Sequence, residues 1–178
     1  YCKIVDLGFA KVVVDKTYTL VGTPEYIAPE IILSKGHDKA VDFWAYGVLV
    51  YELLVGTSPF YLPRSSQMDM FKRIVTLKYS IPEIMNKDAR DLVKGLLVRR
   101  PSDRLGNRST GYLEVKSFPW FTQNGVAFRD LIRKQQQAPW VPEVKDSMDS
   151  SNFDSFAPPA HGSWRRLTRD EQEKFKGF

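Results

Sequence analysis

Apolar and polar positions along the chain alternate in blocks that predict a mainly helical protein. The strongest block, 41–55, is apolar on nearly all sides, as expected for a helix in a protein core. A bilayer span needs about 20 apolar residues. This run is shorter and contains Asp42 and Glu52, so we do not interpret it as a transmembrane segment. Because charged groups are rarely buried alone, both acids are expected to have partners.

Shorter blocks predict the remaining elements. Residues 67–77 carry an apolar stripe at helical spacing, formed by Met68, Phe71, Ile74 and Val75. Residues 87–98 carry a second stripe, and Asn86 is a suitable N-cap for that helix. One or two helical turns are expected in 29–34, and a short helix in 168–178. The segment Pro119-Trp120-Phe121 predicts an aromatic anchor after a short helix.

Two segments near the start have strand-forming composition. Residues 3–5 and 12–14 flank a turn and predict a short β element at the N-terminus, followed by a loop over 15–28. From residue 138 onward proline, serine and aspartate become frequent and apolar residues sparse. This change predicts an extended C-terminal tail.

Composition narrows the possible functions only slightly. The net charge of +5 is spread over many segments, so a solvated surface is expected and nucleic acid binding is not. The single Cys2 cannot form an internal disulfide, which favours a reducing, cytoplasmic location. The chain begins at Tyr1 inside an apolar run and without a signal peptide. We therefore expect it to be part of a longer protein.

The motif Asp6-Leu7-Gly8 is followed by a threonine-rich loop and then by Gly22-Thr23-Pro24-Glu25-Tyr26-Ile27-Ala28-Pro29-Glu30. Either motif alone is weak, because Asp-x-Gly turns are common. Their order and spacing resemble the activation segment of serine/threonine protein kinases. The likeness extends over essentially the whole chain and is greatest to the AGC group, within it to the cyclic-nucleotide-dependent kinases.

The motifs point to two members of that group. Three of them are similar to the cGMP-dependent kinases: Gly36-His37-Asp38, Pro101-Ser102-Asp103-Arg104-Leu105-Gly106-Asn107 and Ser151-Asn152-Phe153-Asp154-Ser155-Phe156. Two resemble the cAMP-dependent catalytic subunit: Ala138-Pro139-Trp140-Val141-Pro142 and the terminal Phe175-x-x-Phe178. Both alternatives stay open.

The resemblance implies a mainly α fold. Residues 1–122 would form the C-terminal lobe of a protein kinase and residues 123–178 the tail typical of AGC kinases. The implied reaction is transfer of the ATP γ-phosphoryl group, with Mg²⁺, to Ser or Thr in proteins with basic residues before the acceptor. Implied partners are the kinase N-lobe and cyclic-nucleotide-binding regulatory domains.

Two departures from the family pattern affect this expectation. Leu7 stands where these kinases usually have Phe, which removes aromatic packing area. The 178 residues also contain no glycine-rich phosphate loop and no His-Arg-Asp loop with its catalytic base. We therefore expect this chain alone to be inactive.

The resemblance assigns Mg²⁺ and nucleotide binding to Asp6; the alternative is an Asp that caps its own turn. It assigns an activating phosphosite to Thr19, with Lys11 as one cation for the phosphate and with Thr17 and Thr23 as competing sites. The alternative for Thr19 is an ordinary loop threonine.

Substrate contacts follow from the same resemblance. Thr23 would support the catalytic base and the substrate hydroxyl, and Glu52 would bind an arginine upstream of the acceptor. An apolar pocket for the residue after the acceptor would be lined by Leu20, Pro24 and Ile27. The alternatives are loop packing for the pocket residues and a structural salt bridge for Glu52.

Structural roles are implied elsewhere. Glu30 and Arg104 would form a buried ion pair, and Asp42 would hydrogen-bond the catalytic loop. In the tail, Phe153, with Phe156 close by, would reach the adenine pocket, and Phe175 and Phe178 would dock on the N-lobe. Three tail hydroxyls are candidate phosphosites: Ser155, Ser163 and Thr168.

Two other classes of protein compete with a kinase. A pseudokinase or kinase-derived scaffold would explain Leu7 and the missing motifs. It would not need Asp6, Thr19, Thr23 and Glu52 together. A helical adaptor with accidental motifs would require every match to be a coincidence.

Overall fold

A computed structural model describes residues 1–157 and 165–177. These residues contain eight α-helices: α1 (Pro29–Ile32), α2 (Ala40–Val55), α3 (Gln67–Val75), α4 (Lys87–Leu96), α5 (Tyr112–Lys116), α6 (Pro119–Thr122), α7 (Phe128–Ile132) and α8 (Arg169–Glu173). They also contain two 3₁₀ turns, Pro24–Tyr26 and Pro101–Asp103. By contacts the chain forms two compact units, Tyr1–Gln137 and Ala138–Phe178.

The first unit is built around α2, the helix expected over 41–55. Trp44 and Val48 are fully buried on its inner side, where α2 packs against α4. Gly47 permits this close approach, since a Cβ atom there would lie 2.8 Å from Leu96 Cβ. The outer side differs from the expectation of burial all round: Leu53 is 76% exposed, because no described element covers it.

Local hydrogen bonds set where α3 and α4 begin. The Asn86 side chain accepts a hydrogen bond of 2.8 Å from the Ala89 N–H, which confirms the predicted N-cap. Ser66 and Asp69 form a reciprocal capping box at the start of α3. The predicted stripe on α3 is partly wrong: Ile74 is fully buried, whereas Met68 is 73% exposed.

The short β element predicted at the N-terminus is wrong. No β-strand occurs in the parts of the chain that the structure describes, and Ile4 and Val14 are 92% and 100% exposed. A strand needs a partner for its backbone hydrogen bonds, and strand-forming composition does not supply one. Near this region the described residues form an isolated antiparallel bridge, between Thr17 and His37.

Aromatic side chains pack together in the C-terminal part of the first unit, as the sequence predicted. Phe121 is buried after the short α5, and its ring packs edge-on against Trp120 and Phe128. In the second unit the predicted terminal helix is α8, capped by Thr168. Within the described residues, no helix is long and apolar enough to cross a membrane.

Replacing Gly47 with Ala should destabilise the protein, because the new methyl group would push α2 away from α4. We expect a loss of about 1–3 kcal/mol from overpacking, partly offset by the better helix propensity of Ala. Gly95→Ala is the matched control. The nearest atom to its new Cβ is Leu105 Cβ at 3.5 Å, so this variant should gain stability from propensity alone. Urea denaturation measures both changes, and equal shifts would contradict the close approach.

Candidate functional site

A buried ion pair fixes the base of the candidate site. Arg104 is fully buried and Glu30 is 5% exposed. The Arg104 guanidinium donates to both Glu30 carboxylate oxygens, at 2.7 and 3.0 Å. It also donates to the backbone oxygen of Ala40 at 2.7 Å and, twice, to that of Val98 at 3.1 and 3.0 Å. The bidentate pair therefore joins α1, the start of α2 and the segment after α4.

A second carboxylate, Glu52, lies on the last turns of α2. The Tyr26 hydroxyl donates a short hydrogen bond of 2.5 Å to Glu52 Oε2. This bond, together with burial, raises the pKa of Tyr26 to about 12. The protonated phenol holds one oxygen of Glu52, while the other oxygen has no hydrogen bond to any described residue and is open to a further donor.

No role was predicted for Tyr26 from the sequence. Its position within the motif Pro24-Glu25-Tyr26 was visible, but its partner lies 26 residues away. Only the packing of the Pro24–Tyr26 turn against α2 brings the phenol to the carboxylate. The structure therefore adds Tyr26 to the residues of the candidate site.

Asp6 lies in an exposed turn near the start of the chain. Its backbone is left-handed, with φ 61°, a conformation that Asp tolerates better than most residues. Asp6 Oδ1 accepts a hydrogen bond of 3.1 Å from the Gly8 N–H. This geometry is the one expected if Asp6 only caps its own turn, although Oδ2 has no hydrogen bond to any described residue.

The donor set around Asp6 restricts the metal that would fit. Within residues 1–157 and 165–177 no three or more His, Cys, Asp or Glu side chains lie together in a metal-binding arrangement. Mg²⁺ is commonly held by one or two carboxylates plus phosphates and water. A single carboxylate is thus compatible with Mg²⁺ bound chiefly through a nucleotide, and not with an all-protein metal cage.

The loop that contains Thr19 is hydrogen-bonded to the rest of the first unit through Thr17. Thr17 exchanges two backbone hydrogen bonds of 2.9 Å with His37, and its hydroxyl accepts from Lys11 Nζ at 2.9 Å. Thr19 itself is exposed and has no side-chain hydrogen bond to any described residue. In this unmodified chain the structure therefore brings Lys11 to Thr17 and not to Thr19.

The residues expected to line an apolar pocket have different surroundings. Leu20 is exposed and Pro24 is half-buried, whereas Ile27 is buried in the core. Thr23 is exposed and precedes the Pro24–Tyr26 turn, where its backbone oxygen accepts from the Tyr26 N–H at 3.0 Å. Leu20 and Pro24 are thus accessible to a ligand, while the position of Ile27 agrees with a packing role.

Asp42 lies in the first turn of α2 and is exposed, with no side-chain hydrogen-bond partner among the described residues. The protein around it nevertheless removes enough water to raise the pKa of its carboxyl group. Among the described residues Glu52 therefore has a side-chain partner and Asp42 has none. The partner expected for Asp42, the catalytic loop, is not in this chain, so that contact stays a prediction.

The aromatic residues of the tail are open to solvent. In the second unit Phe153, Phe156 and Phe175 are all exposed. Phe178, expected to pair with Phe175, and Ser163, a candidate phosphosite, lie outside the described residues. Ser155 is exposed, and Thr168 caps α8.

Comparison with known proteins decides the family. A family model described as the protein kinase domain matches residues 1–121, more than half of the chain. The chain belongs to the protein kinase family. Its ordered Asp6-Leu7-Gly8 and Ala28-Pro29-Glu30 motifs both lie within the matched region, so the protein-kinase-like fold expected from the sequence is confirmed at this level.

Individual relatives confirm the resemblance to cyclic-nucleotide-dependent kinases. The chain is 43% identical over 157 residues to cAMP-dependent protein kinase type 3 of Saccharomyces cerevisiae, a match covering 88% of the chain and 38% of the relative. It is 37% identical over 178 residues to the cAMP-dependent protein kinase catalytic subunit PRKX of Mus musculus, covering 100% and 49%. It is 41% identical over 162 residues to cGMP-dependent protein kinase 2 of Homo sapiens, covering 89% and 21%. The chain spans less than half of the length of each.

Replacing Glu30 with Gln should strongly destabilise this kinase domain, because the buried Arg104 charge would lose its counterion. Removal of one partner of a buried pair typically costs about 3–5 kcal/mol. Lys87→Ala is the control, since the Lys87–Asp91 pair has a similar distance of 2.9 Å but is exposed. We expect no measurable change for the control. Urea denaturation compares the two, and similar losses would show that burial does not govern the Glu30 pair.

Proposed function

We propose that the full-length gene product is a serine/threonine protein kinase that acts on proteins with basic residues before the acceptor. The observation that carries this proposal is the protein kinase match over residues 1–121, which contains both ordered activation-segment motifs. The described chain would supply the activation segment and part of the substrate site. Its division into a C-lobe over 1–122 and a tail over 123–178 is part of the proposal.

Asp6 is proposed to bind the nucleotide through Mg²⁺. When bound, Mg²⁺ and ATP supply the transferable phosphoryl group and neutralise the charge that develops on it. Asp6 Oδ2, which has no hydrogen bond to a described residue, is proposed to face the ion, while the Gly8 N–H orients the carboxylate through Oδ1. In the tail, Phe153 is proposed to contact the nucleotide base, which its exposed ring permits.

Glu52 is proposed to select basic substrates. An arginine side chain offers paired donors that match a carboxylate. Tyr26 holds Glu52 Oε2 and thereby limits the rotation of the carboxylate before a substrate arrives. This preorganisation lowers the entropy that substrate binding would otherwise lose. Leu20 and Pro24 are proposed as the accessible apolar contacts, and Thr23 as a support for the reacting hydroxyl.

Thr19 is proposed as the activating phosphosite. Its exposure permits modification, and a phosphate there would bring about −1.5 to −2 charges to the loop. Lys11 lies on the same loop and is bound to Thr17 in the unmodified chain. We propose that Lys11 transfers to the phosphate, which would reorganise residues 11–19.

Control by a cyclic nucleotide is proposed from the names of the relatives, which include both cAMP-dependent and cGMP-dependent kinases. Regulatory domains that bind the nucleotide, and a kinase N-lobe, are the corresponding proposed partners. A cytoplasmic location stays a prediction that rests on the single Cys2 and on the kinase resemblance.

A scaffold without catalysis is the second candidate. Leu7 favours it, because Leu replaces the usual aromatic residue and its side chain is exposed. The activity measurements below separate the two candidates, since a scaffold would transfer no phosphate.

Replacing Asp6 with Asn should abolish most kinase activity of the full-length gene product, because the metal-facing charge is lost. We expect kcat to fall by about 10²–10³-fold, the range seen when one transition-state-stabilising group is removed. Transfer of radiolabelled phosphate from ATP to a basic peptide measures this change. Asp15→Asn is the control, an exposed acid of the adjacent loop that should leave kcat unchanged. Wild-type protein without activity would exclude the kinase proposal.

Replacing Glu52 with Gln should weaken the preference for basic peptides. A hydrogen bond to a charged group contributes about 1.5–3 kcal/mol, so KM for an arginine-containing peptide should rise roughly 10- to 100-fold. A peptide with Ala at the arginine positions should be phosphorylated equally by both proteins. Glu83→Gln, an exposed acid before α4, is the control variant. An unchanged ratio between the two peptides would remove Glu52 from the substrate site.

A further inference from the structure

The loop of residues 11–22, called the Thr19 loop below, meets the turn between α1 and α2 at Thr17. The Thr17 N–H donates to the backbone oxygen of His37, and the His37 N–H donates to that of Thr17, both at 2.9 Å. Among the described residues, no other backbone hydrogen bond joins the Thr19 loop to the rest of the first unit. This bridge is therefore the contact that decides where the loop lies.

The turn that receives the loop is fixed on both sides. On the α1 side, the Lys35 N–H donates to the backbone oxygen of Glu30 at 3.0 Å, and the Glu30 carboxylate is paired with the buried Arg104. On the α2 side, Asp38 Oδ1 accepts a hydrogen bond of 2.8 Å from the N–H of Ala40, which is fully buried. Because both sides belong to the packed part of the unit, the turn can serve as an anchor.

Gly36 allows the Thr19 loop to lie directly on this turn. It is buried, and its backbone is left-handed, with φ 73°. A Cβ atom at this position would lie 2.9 Å from Lys16 Cδ and 3.0 Å from two ring atoms of Tyr18. Carbon atoms pack favourably at about 3.5–4.0 Å. A side chain on residue 36 would therefore push Lys16 and Tyr18 away from the turn.

The bridge also restricts where Thr19 can lie. Thr19 follows Thr17 by two residues, so their Cα atoms are at most about 7 Å apart. The Thr17 hydroxyl accepts a hydrogen bond of 2.9 Å from Lys11 Nζ. While Thr17 is held on His37, Thr19 and the Lys11 ammonium group therefore stay in the same small region. A phosphate on Thr19 would find its cation there.

We propose that Gly36 and His37 are positioning residues for the Thr19 loop, an inference that deepens the proposed kinase function and rests on it. Their backbone holds Thr17, while the Pro24–Tyr26 turn, packed on α2, holds the other end of the segment. Residues 18–23 are thus anchored at both ends. A segment anchored in this way has less conformational freedom to lose when a substrate binds to it.

Trypsin cleavage after Lys16 tests the anchor without requiring kinase activity. Full-length gene product is treated with a phosphatase, which is then removed, and cleavage is followed by mass spectrometry. Cleavage requires residues 16–18 to leave the turn, so its rate reports the fraction of protein with an open loop. Gly36→Ala should accelerate it roughly 5- to 150-fold, the factor expected when two backbone hydrogen bonds are lost.

Gly125→Ala is the matched control. Gly125 has nearly the same left-handed backbone, with φ 71°, but an added Cβ atom would meet nothing within 4 Å. It carries the same kind of strain and should leave cleavage after Lys16 unchanged. Cleavage after Lys94, inside α4, reports unfolding of the first unit. If Gly36→Ala accelerates cleavage after Lys94 as much as after Lys16, or does no more than the control, the inference is overturned.

A second variant separates collision with the loop from strain within the turn. Two of the three atoms that the new Cβ would meet belong to the Tyr18 ring, and the third belongs to the flexible Lys16 side chain. In a Tyr18→Ala protein, Gly36→Ala should therefore accelerate cleavage after Lys16 much less, by no more than about threefold. An undiminished acceleration would show that strain alone acts, which contradicts the role of Gly36.

Kinase assays connect the anchor with substrate binding. In the Gly36→Ala protein, KM for an arginine-containing peptide should rise at least about threefold, because residues 18–23 lose one anchor. KM for ATP should stay within about twofold, since Asp6 is oriented by its own turn. Equal rises in both KM values would indicate a general defect and overturn the inference. If the wild type phosphorylates no peptide, the kinase proposal and the role in substrate binding both fail, while trypsin cleavage still decides whether the turn holds the loop.

Discussion

The Arg104 guanidinium, buried against the Glu30 carboxylate, is the interaction on which the first unit depends. Taking two charges out of water is costly, and the cost is offset only when hydrogen bonds satisfy both groups. Here Arg104 uses all of its donor groups, toward Glu30, Ala40 and Val98. Its guanidinium also lies 5.3 Å from the centre of the Trp44 ring. None of these groups can move far without leaving a buried charge unpaired.

The first unit has a packed part, which contains the Glu30–Arg104 pair, and an exposed part. The Pro24–Tyr26 turn and α4 pack directly on α2, and α3 packs on that turn and on α1. This packing holds Glu52 where Tyr26 reaches it. The residues before this turn include Asp6, Thr19 and Leu20, all exposed. Phosphoryl transfer depends chiefly on the positioning of charged groups. On the proposed substrate side, Glu52 and Tyr26 are therefore positioned by the fold, whereas Leu20 lies in the exposed part and the nucleotide side rests on a short local turn at Asp6.

Local sequence signals predicted the helices well, and they failed where long-range partners matter. Asn86 caps α4 as expected, because an N-cap needs only its own side chain and an N–H three residues later. The strands expected at 3–5 and 12–14 did not form, since strand composition says nothing about whether a partner strand is present. Similarly, the all-round apolar pattern of α2 did not reveal that Leu53 would remain uncovered. The Glu30–Arg104 pair, separated by 74 residues, was expected from family resemblance and not from any local pattern.

The sequence by itself determined the family motifs and the helix positions, because each is written in a few consecutive residues. Only the tertiary structure decided that Tyr26 holds Glu52 and that Ile27 is buried while Leu20 is exposed. The physical reason is the same in each case. Burial and hydrogen bonding depend on which distant segments meet, and that meeting follows from how α2 packs against its neighbours.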